Sequence, residues 1–191
     1  DRENFGRKRL NLSTQEINRI IIDQINILSQ IAEKNSMKVT HVKPHGALNN
    51  MACENFELAS VIAKSIMNVN KDLIFLVPTG SEMEKAGKKL GMKIASEIFA
   101  DRNYEDDGNL VSRSKNNALI TDPETAKNHV IKMVKSQALN CYSGKQISCD
   151  IDSICVHGDG KTAVKTADEI RKGLIKSGVT LRPLDQMSKF A

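Results

Sequence analysis

The stretch Ile154–Ala163, ICVHGDGKTA, decides how the chain is read. An apolar run ends at Val156, a His-Gly-Asp turn follows, and Gly160-Lys161-Thr162 leads into what reads as a helix. One reading makes Gly-Lys-Thr the end of a phosphate-binding loop. The other makes the run a parallel strand that carries His157 and Asp159 to a site at its C-terminal end. A phosphate loop needs G-x-x-x-x-G-K-[ST], because the first glycine lets the backbone wrap the phosphate. Here that first position is Cys155, inside the apolar run. The loop is too short and lacks its glycine, so strand–turn–helix is the better reading. A weaker version remains: Gly158, Gly160 and the helix start at Thr162 can still offer amides to an anion.

Working outward, the same pattern recurs. Ser13 and Glu16 form a capping box, and apolar residues at 17, 20, 21, 25, 28 and 31 or 32 predict a helix fading near Asn35. The run 37–43 (MKVTHVK) reads as a strand stopped by Pro44, and HGALNN as a loop. A helix is predicted from about Glu54 to Asn68, a buried strand at DLIFLV, and a helix over SEMEKAGKKLG with Gly91 just past its end. KIASEIFA is a further strand, and the polar segment 101–117 a long, functional loop. Asp122-Pro123 starts a helix running to about Leu139, and YSGKQISCD is a hairpin or excursion. DSICVH is a buried strand with Cys155 in the core, the helix from 163 ends near Ser177, and VTLRPL is a last short strand. Short apolar strands alternating with helices imply an α/β fold with a parallel sheet. No linker divides the chain, so one domain over 1–191 is expected.

Composition narrows the function classes. The chain of 191 residues carries a net charge of +5, but its basic residues are interleaved with acidic ones. Without an Arg-rich tract or aromatic–basic interleaving, a nucleic-acid partner is not expected. No apolar run reaches the ~20 residues of a bilayer span, so no membrane partner is expected either. The four cysteines, at 53, 141, 149 and 155, form no C-x-x-C pair and no zinc spacing. They read as free thiols in a reducing, cytoplasmic setting.

Polar residues gather at three strand ends, where parallel α/β proteins bind ligands. Lys43-Pro44-His45-Gly46 follows the first visible strand. Asp101-Arg102-Asn103 through Arg113 follows the third, and His157-Gly158-Asp159 follows the strand at 154. Each residue alone also fits a structural role: Asp159 as a helix cap, Asp101 and Arg102 as an ion pair, Asp106-Asp107-Gly108 as a turn. Three independent strand ends carrying such groups favour a site. His41 and His129 read as structural or exposed.

The stretches VKPHGALNN, IFADRNYEDDGNLVSRSKNNALI and ICVHGDGKTAVKTADEIRKGL, with FGRKRLNLS near the start, resemble the LamB/YcsF family over nearly the whole chain. The resemblance implies a distorted (β/α) barrel of the glycoside hydrolase/deacetylase type. It implies ATP-dependent hydrolytic opening of 5-oxo-L-proline to L-glutamate, on a small-molecule substrate, with the partner subunits B and C of a 5-oxoprolinase. Carried over residue by residue, it singles out Lys43, His45 and Asn50, then Asp101, Arg102, Asp107, Gly108 and Arg113, then His157 and Asp159. His45, Asp101, His157 and Asp159 are the expected catalytic groups, moving protons or activating water. Lys43, Asn50, Arg102 and Arg113 are expected to bind substrate. ATP is the implied co-substrate. A divalent metal held by Asp and His stays open, as does a homo-oligomer. The family's first motif ends Tyr-Asn, whereas this chain has Asn49-Asn50. Family members also carry an Asp-Leu-Asn-Cys-Asp-type strand and His-bearing motifs before the FGR stretch. The expectation is therefore a barrel incomplete at its N-terminus. The competing readings are a metal-dependent deacetylase or carbohydrate hydrolase on a related barrel, and a non-catalytic truncated paralogue.

Overall fold

Local capping chemistry sets the first helix in the computed structural model, which describes residues 1–190. Helix α1 (Thr14–Lys34) begins with the expected capping box: the Ser13 amide donates to Glu16 Oε2 at 2.8 Å, and the Glu16 amide donates to Ser13 Oγ at 3.3 Å. The chain falls into two compact units, Asp1–Ala95 with the segment from Leu184 onward, and Ser96–Pro183.

In the first unit, β1 (His41–Val42) is followed by α2 (Gly46–Glu54), α3 (Phe56–Val69), β2 (Ile74–Pro78) and α4 (Glu82–Lys89). Strand β1 pairs parallel to β2 in the register His41↔Ile74. It is only two residues long, not the seven expected, because pairing starts where Thr40 O accepts from the Ile74 amide. The core is built from Ile62, Ile66, Phe75, Val77 and Met83, all fully buried. Ile21 and Ile25 of α1 join it, but Leu28 and Ile31 are more than half exposed, so the helix's second half departs from the expected apolar face.

HGALNN is helix rather than loop. Gly46 sits at φ +65°, a left-handed geometry that glycine adopts freely. A Cβ there would run into the carbonyl oxygen of Gly6. That same carbonyl accepts from the Ala47 amide at 2.8 Å. The FGR segment thus satisfies a first-turn donor of α2 that no side chain caps. Asn55 then caps α3 by accepting from the Leu58 amide at 2.9 Å.

Strand β3 (Ile94–Phe99) begins in the first unit, where the Phe75 amide donates to Lys93 O, and continues into the second. There it is followed by α5 (Pro123–Ser136), β4 (Ala138–Asn140), β5 (Gln146–Ser148), β6 (Ser153–Cys155) and α6 (Ala163–Lys176). Asp122 caps α5 as expected, its carboxylate accepting from the Thr125 amide at 2.8 Å. The helix stops at Ser136, short of Leu139, because Gln137 turns left-handed and Leu139 pairs with Ile147. The resulting β4–β5 hairpin is the excursion the sequence announces.

Helices α5 and α6 pack closely: a Cβ on Gly173 would stand 2.8 Å from Ile131 Cδ1 and Lys127 Cγ. VTLRPL forms no strand; Leu184–Gln186 is a single 3₁₀ turn, and Leu184 packs against Ile74, Leu76 and Ala95 of its own unit. Strand β6 is half-buried rather than buried, Cys155 included. The β1–β2 and β3–β6 pairings are parallel, which bears out the α/β expectation, and the β4–β5 hairpin is antiparallel.

Candidate active site

The register of β3 against β6 builds the site. Glu97, Ile98 and Phe99 lie opposite Ser153, Ile154 and Cys155. The alignment is clamped below by Asp152, whose amide donates to Ser96 O at 2.8 Å while its carboxylate accepts from the Ser96 amide at 2.8 Å. Above, the Ala100 amide donates to Cys155 O at 2.9 Å. Side chains alternate along a strand, so residues two further on share the face of the last pair. Two beyond Phe99 is Asp101; two beyond Cys155 is His157. They meet: His157 Nδ1 lies 2.8 Å from Asp101 Oδ1 and 2.7 Å from Oδ2. Phe99 stacks on the imidazole, with centroids 5.7 Å apart and planes 15° off parallel.

Electrostatics fix the tautomer. Burial raises the Asp101 carboxyl's pKa, but the hydrogen bond and charge of His157, with help from Arg102, outweigh that and hold it below its ordinary range. Ionised Asp101 can only accept, so Nδ1 carries the proton. Nε2, on the far edge of the ring, then holds a lone pair able to take a proton.

Asp101 and His157 line a cavity of about 240 Å³ with Arg113, Asp159, Thr162 and Thr166. That is smaller than the ~300 Å³ at which drug-sized pockets begin, so it suits a small ligand. Of the expected site residues, the second unit therefore brings together Asp101, Arg113, His157 and Asp159. Arg102 is not among those lining the cavity. It is buried, its Nη2 donates to Val111 O at 2.7 Å, and its Nε has no partner among the described residues. Burial, then the nearby Arg113, lower its pKa. Asp107 accepts from the Asn109 amide at 2.9 Å and side chain at 3.0 Å, and these bonds hold its carboxyl low; with Gly108 at φ +88° this is turn chemistry. His129 is partly buried, with Nε2 unpartnered among the described residues, and desolvation lowers its pKa.

The first unit holds the remaining candidates. Lys43 and His45 line a larger cavity of about 850 Å³, walled by apolar residues such as Phe5, Ile17, Ile21 and Leu48. His45 is the exposed N-cap of α2 and makes no cap bond with its side chain. Asn50 is exposed and Asn49 is buried, with Asn49 Oδ1 unpartnered among the described residues; the sequence reading chose the outward-facing member of the pair. Among the described residues, no group of three or more His, Cys, Asp and Glu side chains could hold a metal ion, and no helix is long and apolar enough to cross a membrane.

Sequence reasoning also missed Phe99, Tyr104 and Thr166. Phe99 carried a legible signal, two residues before Asp101 on the same strand face. Tyr104 is 3% exposed, and its hydroxyl oxygen accepts from the Phe99 amide at 2.8 Å. Burial drives its pKa upward.

Comparison with known proteins settles the family. The LamB/YcsF family matches residues 1–189. The chain belongs to the LamB/YcsF family. It is 43% identical over 183 residues to the A component of 5-oxoprolinase from Clostridium beijerinckii, covering 96% of this chain and 72% of that protein. It is 41% identical over 191 residues to the A component of 5-oxoprolinase from Coprothermobacter proteolyticus, covering all of this chain and 73% of that one. Among solved structures it resembles a lactam utilization protein from Thermus thermophilus, with a TM-score of 0.88 and 32% identity over 95% of this chain and 72% of that one.

Proposed function

We propose that this family member opens the lactam of 5-oxo-L-proline by hydrolysis, giving L-glutamate, as the A component of an ATP-dependent 5-oxoprolinase with subunits B and C. The observation that carries the reading is the Asp101–His157 pair, held at 2.7–2.8 Å at the ends of two parallel strands and lining a small cavity. The relatives' name and that of the Thermus protein support the same chemistry.

A lactam is a stable amide, and its opening needs a water aimed at the carbonyl and a proton for the departing nitrogen. His157 Nε2 takes a proton from water as the hydroxide oxygen bonds to the carbonyl carbon. The C–N bond then breaks, and His157 returns the proton to nitrogen, leaving a primary amine and a carboxylate. Asp101 holds the ring and stabilises the imidazolium that forms between those steps. Asp159, on the turn after β6, lines the same cavity and orients the water. ATP, the co-substrate, would supply phosphoryl activation of the lactam oxygen with release of ADP; the carboxyl group formed on ring opening would then carry that phosphoryl group until a second water releases it as inorganic phosphate. A barrel of the glycoside hydrolase/deacetylase type belongs to the same reading.

The test is glutamate formation from 5-oxoproline and ATP by the chain combined with subunits B and C. Replacing His157 with Gln removes the base and abolishes turnover. A wild-type chain that forms no glutamate overturns the proposal, and turnover unchanged in His157→Gln overturns the role of His157 as base.

A further inference from the structure

The small cavity of the second unit contains a polar group that the hydrolysis leaves unused. Thr166, near the start of α6, is 5% exposed and lines that cavity, yet its hydroxyl makes no hydrogen bond among the described residues. Other helix hydroxyls behave differently. Ser60 and Ser65 donate to the carbonyls four residues back at 2.7 and 2.8 Å. Thr162 O stands in that position for Thr166 and receives only the backbone amide. The Thr166 oxygen is not among the buried unpartnered side-chain atoms, so it is neither bonded nor sealed from solvent and is free to bond a ligand.

Three further features share the cavity. Thr162, the N-cap of α6, places no side-chain oxygen on the first-turn amides; its hydroxyl donates instead to Thr121 O at 3.0 Å. That turn therefore keeps its partial positive charge. Arg113 lines the same cavity, exposed, with no ion-pair or hydrogen-bond partner among the described residues. Buried Arg102 stands near enough to repel it. The opposing charges are Asp101, already paired with His157, and Asp159.

We propose that the α6 end of this cavity is an oxyanion subsite, in which the Thr166 hydroxyl, the uncapped first turn of α6 and the Arg113 guanidinium receive a carboxylate or phosphoryl group of a small ligand. As the seat of the lactam's own carboxylate it rests on the hydrolysis reading; as an anion site it stands apart from it. It also gives the Gly160-Lys161-Thr162 stretch a use without a phosphate loop.

The experiment titrates 5-oxoproline, 2-pyrrolidinone (the same lactam without the carboxylate) and inorganic phosphate into the wild-type chain, Thr166→Val and Arg113→Gln. If the subsite takes the carboxylate, each variant binds 5-oxoproline about tenfold or more weakly, the loss of a hydrogen bond to a charged group, with 2-pyrrolidinone binding unchanged. If it takes a phosphoryl group, phosphate binding falls in both variants while the two lactams bind alike. Variants that bind all three probes as the wild type does overturn the proposal. Thr166→Val also keeps its thermal midpoint at or above that of the wild type, because the hydroxyl has no partner to lose; a fall of several degrees makes the hydroxyl structural and overturns it as well. The two readings fail separately: anion binding that persists in a wild-type chain that forms no glutamate from 5-oxoproline with ATP and subunits B and C sinks hydrolysis and leaves the subsite.

Discussion

Replacing Asp101 with Asn tests the dyad while hardly changing its shape. The wild-type carboxylate takes Nδ1–H between two oxygens, at 2.8 and 2.7 Å. In Asp101→Asn one of those positions becomes an NH₂ donor, which favours the tautomer carrying its proton on Nε2 and removes the lone pair that accepts from water. The imidazolium formed in the reaction also loses its counter-charge. Two unit charges ~4 Å apart at an effective dielectric of ~20 interact by about 4 kcal/mol. The side chains are 21% and 31% exposed, so solvent screening lowers that to about 3 kcal/mol. At 1.36 kcal/mol per tenfold, kcat falls about a hundredfold from charge alone, and further from the tautomer change. The assay is glutamate release with subunits B and C, fitted for kcat and KM separately, beside a ¹⁵N spectrum of the His157 ring. KM should hold within about twofold, because Asp101 acts through His157 rather than on the ground-state substrate. The wild type's acid-side decline in stability should also shrink in the variant. A carboxyl held below its ordinary 3.8 stabilises the fold above that value, and this contribution disappears as pH falls through the lowered one. Turnover within threefold of wild type, or a wild-type ring protonated on Nε2, refutes the reasoning.

Tyr104→Phe removes the buried hydroxyl that accepts from the Phe99 amide, so urea unfolding should show a loss of about 1 kcal/mol. Gly46→Ala places a methyl group against Gly6 O at a left-handed position, which costs more than about 1 kcal/mol; limited proteolysis should find the segment before Ser13 released, and an unchanged digest counts against the capping role of Gly6. The Cys53 thiol is pushed up to about 12, first by burial and then by Glu54. Its contribution to stability is whole below its ordinary 9.0 and is lost as pH rises from there toward 12, by up to about 1.4 kcal/mol per pH unit. Cys53→Ala should flatten that alkaline decline in denaturant melts, and parallel curves for the two proteins would contradict it.

What the sequence announces depends on how far away the partner of each group lies. Ser13 with Glu16, and Asp122 with Thr125, close their bonds within one turn, so both helix starts are legible from the residues themselves. Helix α2 is not, because its first-turn donor is satisfied by Gly6 O, distant in sequence, and HGALNN without that partner looks like a loop. Leu139 continues the apolar spacing of α5, yet it belongs to β4, since Ile147 across the hairpin gives it a strand partner. Site residues follow the same rule. Asp101, Arg113, His157 and Asp159 stand at or after strand ends and carry chemistry in their side chains, so position and residue type expose them. Thr166 is hidden: only its burial beside a cavity, without a partner, distinguishes it from any helical threonine.

The dyad's geometry follows from strand register rather than from the long segment after β3. Phe99 lies opposite Cys155, and a parallel pair carries that correspondence forward to Asp101 and His157. The segment from 101 to 120 is then tied down around the pair: the Ile120 amide donates to Asp101 O at 2.9 Å, and Arg102 Nη2 holds Val111 O at 2.7 Å. Two kinds of damage should therefore separate. Shortening the turn around Asp106–Gly108 leaves the register intact, so the His157 tautomer should survive even where ligand binding weakens. Asp152→Ala removes the carboxylate that accepts from the Ser96 amide, loosening β6 against β3. It should disturb the His157 ring signal although Asp152 precedes β6 and His157 follows it. A ring signal indifferent to Asp152 but lost on trimming the turn would mean that the loop, and not the sheet, sets the pair.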